Sequence, residues 1–156
     1  MRKNGCSKKQ KERKNPTRTD FLFGINPLDK LHNYVVTIAK LSKERKIYCL
    51  VASSAFMEFR TVLYSRGKKP IEVLEALSII KDFIKSNNIM EIPLKGEHII
   101  AGESLRVRYG ELTYFDALHA GVALVEKAMV VSYDDVYSRI SELKWKSITE
   151  FGATGI

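Results

Sequence analysis

The sequence predicts an α/β protein, a three-layer α/β/α sandwich around a central, mostly parallel sheet. Two observations carry this. Short apolar runs alternate with amphipathic helical stretches along the chain, and strands that alternate with helices pair in parallel through crossovers. A third observation points to the site. Glu58, Asp116 and Asp134 each sit just beyond, or one helical turn beyond, an apolar run. Charged groups near a core are costly unless compensated, and ligands of open α/β sheets bind at the carboxyl ends of strands. Three such acids suggest one acidic pocket for a divalent metal.

The elements follow in order. Residues 1–17 have almost no apolar side chains and are expected to be a disordered basic tail, with residues 18–156 forming one domain. Gly24, Asn26 and Pro27 mark a loop. Asp29 can cap a helix to about Arg45, with Leu31, Val35, Ile38, Ala39 and Leu41 toward the core. Residues 47–52 read as a buried strand. Ser53 or Ser54 caps the next helix, which ends near Arg66-Gly67. Pro70 opens another, with Val73, Leu77, Ile80 and Ile84 as its stripe, and Asn87-Asn88 ends it. Ile89–Leu94 is a short strand. A helix runs from about Glu97 to Arg108, and Tyr109-Gly110 closes it. Thr113 caps a helix from Tyr114 to Lys127 that is apolar nearly all round and therefore buried. Ala128–Ser132 is a strand, Val136–Leu143 a short helix, and Lys146–Thr149 a last strand.

Composition narrows the function classes. The chain has 156 residues, of which 45% are hydrophobic and 28% charged, as in ordinary globular domains. No apolar run approaches the roughly 20 residues that span a bilayer, and no apolar segment follows the basic start as in a secretory signal. Cys6 and Cys49 are the only cysteines. They give no disulfide framework, which fits a cytoplasmic protein. The net charge of +8 is uneven. Residues 1–19 hold eight basic side chains against Glu12, and the remainder 18 against 17. Such a tail can hold a phosphate backbone or simply be solvated.

Each acid has two readings. Glu58 falls at the edge of an apolar stripe, as a ligand or as an interfacial glutamate does. Thr113-Tyr114-Phe115-Asp116 is a capping-box pattern, and capping can coexist with metal binding. His119, one turn on, reads as a hydrogen-bonded core histidine. Asp134 suits a helix cap as well as a ligand. Gly24, Gly67, Gly96 and Gly110 are isolated, so no glycine-rich loop supports a flavodoxin-like nucleotide site.

Three segments resemble the successive motifs of PIN domains: Ala52-Ser53-Ser54-Ala55-Phe56-Met57-Glu58, Leu112-Thr113-Tyr114-Phe115-Asp116-Ala117-Leu118-His119-Ala120, and Val130-Val131-Ser132-Tyr133-Asp134. The resemblance spans about residues 19–150. It implies a metal-dependent ribonuclease, a class that includes the VapC-type toxins, with Glu58, Asp116 and Asp134 as catalytic, metal-binding acids and Ser132 lining the site. Mg²⁺ or Mn²⁺ is the implied cofactor, which suits an all-carboxylate donor set. RNA, an antitoxin protein and a second copy in a homodimer are the implied partners, with no membrane. The first motif departs from the family. The gapless match puts Arg18 where the leading aspartate belongs and Asp20 two residues later. Residues i and i+2 of extended chain share a face, so Asp20 is the fourth candidate metal ligand. Arg60, Arg66, Arg106 and Arg108 are candidate phosphate contacts. A catalytically impaired PIN fold that binds RNA or protein is the alternative.

Overall fold

The computed structural model describes residues 20–152. The expected tail of residues 1–17, and Arg18, lie outside these. Among the described residues, six α-helices and four strands follow in the order α1 (Asp20–Phe23), α2 (His32–Lys43), β1 (Leu50–Ala52), α3 (Ser53–Ser65), α4 (Pro70–Ser86), β2 (Met90–Ile92), α5 (Gly96–Arg108), α6 (Tyr114–Val125), β3 (Val130–Ser132) and β4 (Trp145–Ser147). Two 3₁₀ helices, Asp135–Arg139 and Ile148–Phe151, flank β4.

The strands pair in parallel, as expected, but as two separate pairs among the described residues: β1 with β2 and β3 with β4. Each is three residues long, shorter than the apolar runs. Tyr48 at 94% exposure stays outside β1, although Met90 N–H still donates to the Cys49 carbonyl at 3.0 Å. The short helix expected over Val136–Leu143 is a 3₁₀ helix over Asp135–Arg139. The last strand starts earlier than expected, at Trp145, and gives way to 3₁₀ backbone at Ile148. Asp20 opens a helical turn, with Gly24 N–H donating to its carbonyl at 2.8 Å, and is not in extended chain.

Two apolar clusters form the core. Val35, Ile38, Val51, Phe59, Val73, Ile80 and Ile84 join α2, β1, α3 and α4. Leu105, Leu112, Ala117, Ala120, Tyr137 and Ile140 join α5, α6 and the 3₁₀ turn. β3 lies between them: Val131 packs on the first cluster and Val130 on the second, because successive strand side chains point to opposite faces. Of the stripe read for α4, Val73, Ile80 and Ile84 are buried and Leu77 is half-buried against the same core. α3 ends as expected: Gly67 takes φ +80°, Lys68 N–H donates to Leu63 O and Gly67 N–H to Tyr64 O, the Schellman arrangement.

α5 and α6 pack at backbone contact. A Cβ on Gly102 would stand 2.7 Å from Ala117 O, and one on Gly121 would stand 2.7 Å from Gly102 N and closer still to His98 O. The fully buried His98 ties this pair together. Lys95 N–H donates to its Nδ1 at 3.0 Å, so the ring proton is on Nε2, which donates to Glu126 Oε1 at 2.8 Å.

Cys49 is half-buried, and burial pushes its thiol up to about 11. The thiolate is the reactive species. Native Cys49 is therefore expected to resist iodoacetamide at about pH 8 and to react fully in guanidinium, as read by peptide mass mapping. Native labelling as fast as free cysteine would contradict this.

Candidate active site

Among the described residues, the buried acids are Asp20 (4% exposed), Glu58 (4%) and Asp116 (2%). All three were singled out from the sequence. The fourth, Asp134, is half-buried.

Asp20 and Asp134 are both bonded to Ser132 at the carboxyl end of β3, Asp20 through its carboxylate and Asp134 through its backbone N–H. Tyr133 N–H donates to Asp20 Oδ2 at 2.7 Å and Ser132 Oγ donates to the same oxygen at 3.2 Å. Asp134 N–H donates to Ser132 Oγ at 3.0 Å. The serine hydroxyl thus links an acid at the start of the described chain to one near its end. Asp134 Oδ1 also accepts Val136 N–H at 3.0 Å, capping the 3₁₀ turn, so its capping role is present.

Asp116 sits in the first turn of α6. Its Oδ2 accepts Thr113 N–H and Thr113 Oγ–H, both at 2.9 Å. The capping box read from the sequence is therefore present. Thr113→Val keeps the shape and removes the hydroxyl, and is expected to cost about 1 kcal/mol, measured by urea unfolding. An unchanged midpoint would contradict the capping role.

Glu58 is held from α6. Its Oε2 lies 3.0 Å from His119 Nε2, and His119 Nδ1 lies 3.1 Å from Ser54 Oγ. Ser54 is fully buried, so it is no nucleophile toward a substrate despite its place in a Ser–His–Glu chain. Neither serine caps α3, contrary to expectation. Ala52 is the N-cap, and Ser53 Oγ donates to Ile92 O at 3.0 Å, tying α3 to β2. Tertiary partners have claimed both hydroxyls.

Asp20 is thus joined to Asp134 through Ser132, and Glu58 to α6 one turn beyond Asp116. The four acids are not drawn into a ready-made cluster. Among the described residues, no three His, Cys, Asp or Glu side chains are arranged to enclose a metal ion. In kind, the donors fit a hard divalent ion, since all four acids offer oxygen and three are shielded from water.

The arginines read as phosphate contacts divide. Arg106 pairs with Glu103 at 3.3 Å, and Arg108 pairs with Glu142. Both carry less free charge than the sequence suggested. Arg66 lies over the Phe23 ring, 4.8 Å from its centroid, beside the α1 turn that carries Asp20. Arg60 is exposed. The sequence reading missed Lys30, whose ammonium stands 4.3 Å over the ring of Tyr133, between Ser132 and Asp134. It also missed the His119–Glu58 contact. The only signal for that contact was spacing: Ser54 and Glu58 are four apart, and Asp116 and His119 three apart, so each pair shares a helix face.

The model of the PIN domain family matches residues 23–143, most of the chain. This chain belongs to the PIN domain family. PIN domains are commonly metal-dependent nucleases that act on RNA. Glu58, Asp116 and Asp134 lie inside the matched PIN segment, and Asp20 just before it. No helix among the described residues of this PIN domain is long and apolar enough to cross a membrane. A comparison with the curated proteins found no match.

Proposed function

We propose that this PIN domain is an endoribonuclease that needs Mg²⁺ or Mn²⁺, held by Asp20, Glu58, Asp116 and Asp134. The observation that carries the reading is a coincidence of position: the carboxylates buried among the described residues are acids of the PIN-like motifs or, for Asp20, the nearest acid to the first one. When bound, the ion would polarise a phosphodiester and lower the pKa of its water. The chain's own share is positioning. Ser132 and the Tyr133 N–H orient Asp20, the Thr113 box fixes Asp116, and Lys30 brings positive charge to the rim for a phosphate. The expected products carry 5′-phosphate and 3′-hydroxyl ends.

Single-stranded RNA incubated with Mn²⁺ or Mg²⁺ is expected to be cut, and a chelator should stop the reaction. Cleavage that persists in chelator would overturn the metal role, and no cleavage with either ion would overturn the activity.

As its biological setting we propose a cytoplasmic toxin of the VapC type, controlled by an antitoxin and working as a homodimer. The three-layer arrangement fits β3 lying between the two apolar clusters. We assign residues 18–156 to the one domain and give the basic residues 1–17 the role of holding RNA phosphates. Deleting 1–17 is expected to weaken RNA binding and flatten its dependence on log salt concentration. An unchanged salt slope would contradict that role.

The second reading is a catalytically impaired PIN domain that binds RNA or a protein. It is favoured by Arg18 in the leading motif position and by the lack of a ready-made cluster among the described residues. Calorimetry separates the two. Mn²⁺ binding in the micromolar-to-millimolar range that Glu58→Gln abolishes would count against impairment.

A further inference from the structure

Ser54 and Glu58 project from one face of α3, four residues apart. His119 of α6 lies across both, with Nε2 3.0 Å from Glu58 Oε2 and Nδ1 3.1 Å from Ser54 Oγ. The side chains of His119 and Glu58 are 11% and 6% exposed. The Phe115 ring stacks on the imidazole, with centroids 6.2 Å apart and planes at 22°. The imidazole is therefore held at both edges and along one face. An ionised carboxylate only accepts hydrogen bonds. Neutral His119 then carries its proton on Nε2, and Nδ1 accepts from the Ser54 hydroxyl. One tautomer satisfies the whole chain.

We propose that His119 is a positioning residue that, through its Nε2–H, holds Glu58 in the rotamer that binds the divalent ion, with Ser54 fixing the tautomer. This rests on the metal reading above. A glutamate that loses this bond gains rotamer freedom, which it would have to give up on binding. Hydrogen-bond partners of metal-binding side chains typically change affinity about 10–100-fold when removed. The same contact also clips α3 to α6, so the test must separate positioning from fold.

Two substitutions do this, because each amide reaches a different edge of the lost imidazole. The amide nitrogen of His119→Gln reaches where Nε2 stood, and that of His119→Asn only where Nδ1 stood. Free Mn²⁺ is followed by electron paramagnetic resonance during titration of the full chain, with thermal melting recorded without metal. H119N is expected to bind Mn²⁺ about tenfold more weakly or worse, and H119Q within about threefold of the native chain. Equal Mn²⁺ affinity in H119N and H119Q, whether both are native-like or both weakened, would overturn the proposal. Should H119N not fold, Ser54→Ala decides: about threefold weaker binding is expected, and unchanged affinity overturns the proposal. Glu58→Gln keeps the two failures apart. Binding that E58Q leaves intact sinks the metal reading and this inference with it. Binding that E58Q abolishes while H119N leaves it native sinks only the role of His119.

Discussion

Asp116→Asn is expected to lower metal-dependent RNA cleavage by about 100-fold or more while leaving the fold in place. The geometry separates the two effects. Asp116 is 2% exposed, and its Oδ2 accepts both the N–H and the hydroxyl of Thr113. An asparagine oxygen can accept the same pair, and asparagine is compatible with the first turn of a helix, so the start of α6 survives. The change removes the negative charge and replaces a carboxylate oxygen with an amide nitrogen that cannot ligate a hard cation. A loss of about a hundredfold corresponds to about 2.7 kcal/mol of transition-state stabilisation. The native–mutant pair is compared by initial rates on one RNA, with melting curves as the control for folding. Cleavage by D116N at the native rate would remove Asp116 from the site.

Gly121→Ala is expected to lower the stability of the described fold by about 3 kcal/mol. Alanine would normally favour a helix by about 1 kcal/mol over glycine. Here the new Cβ would meet the His98 carbonyl oxygen and, at 2.7 Å, Gly102 N. Both are backbone atoms of α5 and cannot rotate away. Overpacking of this kind typically costs about 1–3 kcal/mol, occasionally more. Moving α5 outward would also disturb the buried His98–Glu126 bond at 2.8 Å, whose loss leaves polar groups without partners. Since α6 carries Asp116 and His119, Mn²⁺ affinity should fall with stability. Denaturant unfolding measures the first effect, and a midpoint equal to or above the native one would contradict the packing argument.

The helices were legible because their signals are local. Pro70 at the start of α4, Gly67 after α3, and Thr113 with Asp116 at the start of α6 act within four residues of themselves, and all three hold. The strands were legible in position but not in length. Ile47 packs on the core without joining a ladder, and Cys49 joins one only through its carbonyl. Nothing in a sequence fixes which strand edges meet, so the division into two parallel pairs could not be read. Ser53 was misread because an N-cap signal is local and its competitor is not. The acceptor that claims the hydroxyl is the carbonyl of Ile92, 39 residues further along the chain.

The acids were legible as positions and not as a constellation. Their residue types and their places after apolar runs are written locally. The contacts that hold them, Asp20 to Tyr133 and Glu58 to His119, join residues 113 and 61 apart. Asp20 was found by its place in a motif, although the extended backbone expected for it is a helical turn.

Anomalous diffraction from a crystal soaked in Mn²⁺ tests the central claim most directly. A manganese peak is expected about 2 Å from carboxylate oxygens of Glu58 and Asp116, with Asp20 or Asp134 completing its shell. Manganese bound elsewhere, with these acids still engaged by Ser132, Thr113 and His119, would contradict it.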